Sequence, residues 1–135
     1  MELADTSAWT NRHKDPRVQA DFDARVLSRE IATCPMVTME LLWTTRTPRE
    51  FGELWEDLAA LPQIAMEGPT WQRAVEVWQA LVDDGRQREV RHQDLLIAAA
   101  AELAGVPLCH YDRHFEVVAE VTRQPERAIA PLGTL

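Results

Sequence analysis

The chain has 135 residues, of which 46% are hydrophobic and 27% charged, enough for one domain with one core. Its formal net charge of −8 argues against a sequence-independent nucleic-acid coat, which would be basic. No apolar run approaches the roughly 20 residues needed to span a bilayer, so no membrane role is expected.

The N-terminal run Met1-Glu2-Leu3-Ala4-Asp5 carries neither a basic stretch nor an apolar one, so no signal peptide is expected. Cys34 and Cys109 do not form a disulfide framework. A single domain over residues 1–135, located in the cytoplasm, is the expectation.

Glu2 to Ala4 predicts a short first strand, with Asp5 at its C-terminal end and a helical segment from Ala8. Asn11 to Asp15 is polar and closed by Pro16, a turn. Pro16 to Ala32 predicts a helix with Val18, Phe22, Val26, Leu27 and Ile31 along one stripe. Cys34 to Val37 reads as extended, and Thr38 as the cap of a following helix that carries Glu40 in its first turn. Thr47-Pro48-Arg49-Glu50 is a capping box with proline at the first helical position. Its helix runs to about Leu61, so Thr38 to Leu61 predicts a helical hairpin.

Pro62 to Met66 is a weak strand or connector, and Gly68-Pro69-Thr70 is punctuation. Trp71 to Asp84 predicts a helix with Ala74, Val75, Trp78, Leu81 and Val82 facing inward and Gly85 as its stop. Arg86 to His92 is a basic loop. Asp94 opens the next helix, where a carboxylate suits the positive end of the dipole. Leu95 to Leu103 is almost wholly apolar, so that helix should be buried nearly all round. Gly105 fits a left-handed stop, and Pro107 blocks continuation. Val106 to His110 predicts a strand that delivers Asp112 to its C-terminal end. His114 to Val121 is a short helix, and Ala128 to Ala130 a weak last strand. Alternating strands and helices indicate an α/β fold with a central, mainly parallel sheet.

Four acids thus stand at element ends: Asp5, Glu40, Asp94 and Asp112. Each alone reads as a cap or a solvated charge. Converged, two carboxylates at ~4 Å repel by about 4 kcal/mol in an effective dielectric near 20. Such a cluster takes up protons or binds a hard cation, and oxygen donors suit Mg²⁺ or Mn²⁺. Phosphoryl transfer is the chemistry such sites usually run. Rival carboxylate sites fail on particular residues. A haloacid-dehalogenase-type phosphatase wants an Asp where Ser7 stands, a receiver domain wants a late lysine where Lys14 is the only lysine, and no P-loop occurs. His92, Cys109, His110 and His114 match no familiar zinc spacing and read as structural.

The segments Leu3-Ala4-Asp5-Thr6-Ser7-Ala8-Trp9, Val37-Thr38-Met39-Glu40-Leu41-Leu42, Asp94-Leu-Leu-Ile-Ala-Ala-Ala-Ala and His110-Tyr111-Asp112-Arg113-His114-Phe115 resemble the four signature segments of PIN-domain ribonucleases. The similarity is to VapC-type toxins of bacterial toxin–antitoxin pairs in particular, and it covers essentially the whole chain. It implies a PIN-like three-layer α/β/α fold and a Mg²⁺- or Mn²⁺-dependent endoribonuclease. The acids at 5, 40, 94 and 112 map onto the family's metal-binding residues, and the hydroxyl of Thr6 or Ser7 onto the small polar residue beside the metal. His114 departs from the family, standing where many relatives carry a further acid, which leaves one or two metals open.

The resemblance also implies a VapB-like antitoxin as partner, a homodimer and a toxin–antitoxin hetero-oligomer, with the Thr38–Leu61 hairpin helping to receive the antitoxin. Arg86, Arg88 and Arg91 read equally as contacts to RNA phosphates or as a solvated loop, and Arg113 is a further candidate. Two alternatives remain at this stage: a metal-dependent phosphatase of small phosphate esters, and a non-catalytic PIN-like binding module.

Overall fold

A computed structural model describes residues 1–135. The strands are β1 (Glu2–Ala4), β2 (Ile31–Ala32), β3 (Leu108–His110) and β4 (Glu126–Ala128), all parallel in the order β2-β1-β3-β4. Seven α-helices flank them: α1 (Thr6–Asn11), α2 (Pro16–Leu27), α3 (Pro35–Leu42), α4 (Pro48–Ala59), α5 (Gly68–Asp83), α6 (His92–Ala104) and α7 (Arg113–Thr122). This is the expected three-layer α/β/α arrangement, with α3 and α4 forming the helical hairpin. No helix is long and apolar enough to cross a membrane.

Alternation along the strands builds two cores. Leu3, Ala32 and Leu108 face the larger one, with Val37 and Leu41 of α3, Leu58 of α4, Leu81 of α5, Leu95 to Ala101 of α6 and Phe115 of α7. Ala4, Ile31 and Cys109 point the other way, against Ala8 and Phe22. Burying α6 on all sides is what its Leu-Leu-Ile-Ala-Ala-Ala-Ala run demands, although Leu103 at its last turn is exposed. Gly105 ends α6 at φ +69, a left-handed position that costs a side-chain-bearing residue strain.

Several predicted boundaries are corrected. The second helix stops at Leu27, and Arg29 at φ +59 turns the chain so that Ile31 and Ala32 pair with β1 rather than extend the helix. The strand is two residues long, too short for its own pattern to show. Cys34 to Val37 is not extended beyond Cys34: Cys34 takes the cap position and Pro35 the first helical one, so Thr38 and Glu40 lie inside α3. Asn11 to Asp15 tightens into a 3-10 turn over Arg12–Lys14, and Asp15 caps α2 by accepting from Arg17 N at 2.8 Å.

The capping threonine is at Thr47, which accepts from Glu50 N at 3.1 Å. Glu50 reaches past it to Arg46 N at 2.8 Å. Gly68 to Thr70 is the first turn of α5, not a break, because Glu67 and Thr70 cap each other reciprocally. The buried stripe of α5 is Thr70, Ala74, Val77 and Leu81, which leaves Val75 and Val82 exposed. β3 starts at Leu108 rather than Val106, and β4 at Glu126, two residues before its predicted start.

Candidate metal centre

The strand order creates the site. β1 and β3 are hydrogen-bonded neighbours at the middle of the sheet, and the chain leaves them toward strands on opposite sides. Ligands in open α/β sheets bind outside the carboxyl ends of strands at such a reversal. Asp5 follows β1 and Asp112 lies two residues beyond β3.

Asp5 caps α1, accepting from Ser7 N at 2.8 Å, and is 3% exposed. The neighbouring hydroxyls divide two tasks. Thr6 Oγ1 donates to Glu40 Oε1 at 3.1 Å, which binds α1 to α3. Ser7 Oγ accepts from Tyr111 N at 2.9 Å, which binds α1 to the turn after β3. Tyr111 Oη in turn accepts from Leu135 N at 2.7 Å, so the C-terminal tail closes over that turn.

Asp94 sits in the first turn of α6, whose cap position, Arg91, supplies no side-chain acceptor. The carboxylate is 2% exposed. Asp112 caps α7 and accepts from His114 N at 2.9 Å. His114 bridges the two acids: its Nδ1 lies 3.0 Å from Asp94 Oδ2 and 3.5 Å from Asp112 Oδ1. One ligand atom from each of Asp94, Asp112 and His114 falls within 4.8 Å of the others. From the sequence His114 stands only where relatives carry a further acid. Its half-buried position becomes visible only once α6 and α7 are side by side.

Electrostatics joins the remaining acids to this group. Burial pushes the Asp5 carboxyl above its ordinary range, against the hydrogen bonds from Ser7, and the charge of Asp94 adds to the rise. Glu40 is raised chiefly by burial and then by Asp5; the Thr6 hydroxyl opposes the shift, Asp94 adds to it and Arg91 opposes it. Three of the four acids therefore feel one another directly, and His114 ties the fourth to Asp94. Carboxylates buried beside one another, with the exposed guanidinium of Arg91 nearby, are the donor set that a divalent cation neutralises.

Arg91 Nε lies 3.4 Å from Asp94 with its side chain 60% exposed, and it also senses Glu40 and Asp112. Arg86 is committed elsewhere, to Glu89 and to Glu120 of α7. Arg88 and Arg113 are exposed. Burial pushes the Cys34 thiol up to about 11, and the nearby charges of Asp5 and Glu40 add to the rise. Burial pushes the Cys109 thiol up to about 12, with Arg127 opposing. His110 is fully buried, bonded through Nε2 to Glu126 and accepting from Asp112 N at Nδ1.

Residues 3–121 match the family model described as PIN domain. The chain is 36% identical over 133 residues to Ribonuclease VapC18 of Mycobacterium tuberculosis, covering 97% of this chain and 96% of that protein. Among solved structures, DNA-bound VapBC from Salmonella typhimurium matches with a TM-score of 0.74 at 18% identity, over 96% of this chain and 100% of that one. VapBC-5 of Mycobacterium tuberculosis, from a family of toxin–antitoxin systems, matches with a TM-score of 0.59 at 18% identity, over 94% and 95% of the two chains.

Proposed function

The chain belongs to the PIN-domain family, and on that premise we propose that it is a divalent-metal-dependent endoribonuclease, the toxin of a toxin–antitoxin pair. What supports this reading is the closeness of Asp94, Asp112 and His114 past β3, with the charges of Asp5 and Asp94 acting on one another and on Glu40. These four acids are the residues assigned to hold Mg²⁺ or Mn²⁺. When bound, the cation supplies activation of a water and charge neutralisation at the scissile phosphate.

The chain's own residues do the rest. Thr6 keeps Glu40 aimed into the site through its hydroxyl. Ser7 fixes the Tyr111 turn, and with it the position of Asp112. The exposed guanidinium of Arg91 stands at the rim, where it can pair with a backbone phosphate, and Arg88 and Arg113 can extend that contact. Hydrolysis breaks the P–O3′ bond: water adds to phosphorus, and the products are a 3′-hydroxyl and a 5′-phosphate.

Met39, Trp43 and Trp55 expose apolar surface on the α3–α4 hairpin, and this is the face assigned to a VapB-like antitoxin segment. The toxin assignment carries with it a homodimer, a toxin–antitoxin hetero-oligomer and a cytoplasmic location.

The test is cleavage of an RNA with structured and single-stranded regions by the purified protein in Mg²⁺, Mn²⁺ or EDTA, beside Asp94→Asn. Metal-dependent cleavage that vanishes in the variant is expected. Full activity in Asp94→Asn sinks the assignment, and turnover of small phosphate esters without RNA cleavage turns it into a phosphatase.

A further inference from the structure

We propose that His114 is a direct ligand at this centre, so that the site selects a first-row transition-metal dication over Mg²⁺. The inference rests on the metal-centre reading above and adds to it a nitrogen donor and a metal preference.

Three observations carry it. First, the imidazole Nδ1 is the atom aimed inward, 3.0 Å from Asp94 Oδ2 and 3.5 Å from Asp112 Oδ1. Ligand atoms at adjacent corners of an octahedral ion, with bonds of about 2.1 Å, stand about 3 Å apart. The His114 nitrogen is therefore close to that spacing from each carboxylate, and all three donors lie within 4.8 Å of one another. Second, the ring is held from the backbone. His114 N donates to Asp112 Oδ1 at 2.9 Å, so ligand and helix cap are positioned by one turn of α7. Third, the His114 side chain is 32% exposed beside the buried Asp94 carboxylate, so an ion from solvent can reach both.

The metal preference follows from donor chemistry. Mg²⁺ favours oxygen and gives up its water reluctantly. Imidazole suits Co²⁺, Ni²⁺ and Zn²⁺, and affinity rises from Mn²⁺ toward Cu²⁺ at any nitrogen-containing site. A site with an imidazole among its carboxylates thus departs from an all-carboxylate site in the direction of transition metals. His114, standing where many relatives carry a further acid, puts a nitrogen donor beside the four carboxylates and changes which ion is held.

The experiment is calorimetric titration of the full chain with Co²⁺ and with Mg²⁺, for the wild type, His114→Ala and Asp94→Asn, each shown to melt cooperatively in EDTA. The wild type should bind Co²⁺ more tightly than Mg²⁺. His114→Ala should lose about tenfold or more in Co²⁺ affinity, the scale seen even for residues that support a ligand, with Mg²⁺ affinity little changed. Asp94→Asn should weaken both ions.

Equal Co²⁺ affinity in the wild type and His114→Ala, with loss in Asp94→Asn, would overturn the ligand and leave the metal centre standing. An equal loss of both ions in His114→Ala would overturn the selectivity. Unchanged binding in Asp94→Asn would overturn the metal centre itself. If His114→Ala does not fold, the wild type decides: Co²⁺ must give hyperfine-shifted ring protons from one of the four histidines, and their absence removes the ligand.

Discussion

Thr6 and Glu40 are 34 residues apart in sequence and joined by one hydrogen bond, Oγ1 to Oε1 at 3.1 Å. Removing the donor leaves a half-buried carboxylate with no fixed direction. Thr6→Val is expected to lower kcat on RNA by about 10- to 100-fold, the usual scale for a lost supporting hydrogen bond at a metal ligand. Thr6→Ser should restore most of it, and the thermal midpoint should stay near that of the wild type. An undiminished kcat in Thr6→Val removes Thr6 from the machinery.

Asp5 predicts a pH-dependent stability. Its carboxyl is raised by burial, so the folded chain holds that proton to higher pH than the unfolded chain does. Stability from this group is full below the ordinary carboxyl range. It falls as pH rises from there through the raised value, then stays at its reduced level. Asp5→Asn keeps an acceptor for Ser7 N and has no charge to bury. In EDTA at neutral pH the variant should be more stable than the wild type by about 1–2 kcal/mol, as functional sites often cost their proteins. The two should converge toward pH 3. Urea unfolding at both pH values checks this, and a variant less stable than the wild type at pH 7 contradicts it.

Arg91 and Arg86 should separate cleanly. Arg91 is exposed and faces the acids, so Arg91→Ala should raise KM for RNA and reduce the slope of log affinity against log salt by about 1. Arg86 braces the loop to α7 through Glu89 and Glu120. Arg86→Ala should lower the thermal midpoint and leave KM unaltered. Filter binding over a salt series, with melting curves, resolves the two.

Trp43 is 89% exposed at the end of α3, four residues after the exposed Met39. Trp43→Ser should barely alter the melting temperature, yet weaken binding of the antitoxin by about 2 kcal/mol or more, the cost of losing a buried aromatic anchor. Calorimetry with the purified antitoxin measures it, and an unchanged Kd places the partner on another face.

The parts legible in the sequence are those whose chemistry is local. Gly105, Thr47 with Pro48, and Asp112 each carry their own stop or start signal, and each stands where it was expected. Cys34 was missed because its side chain offers no capping bond, so only Pro35 marked the start of α3. β2 reads as helix from pattern alone because Ile31 falls four residues after Leu27 and widens the stripe of Val18, Phe22 and Val26, and nothing local to Arg29 announces its positive φ. Val75 and Val82 looked inward by period alone, but the packing of α5 against α6 selects a stripe one position over. The role of His114 depends on two helices meeting, which no spacing along the chain encodes.

Ser7 and Tyr111 stand 104 residues apart, and the bond between them joins the two central strands' exits. β1 is therefore made first and must wait for almost the whole chain before β3 can lie beside it. Such long-range pairing is late in folding and slow. During synthesis on the ribosome, Asp5 and Glu40 emerge well before Asp94 and Asp112. No nascent fragment ending before residue 112 carries all four acids, so the cell meets this centre only after β3 has been made.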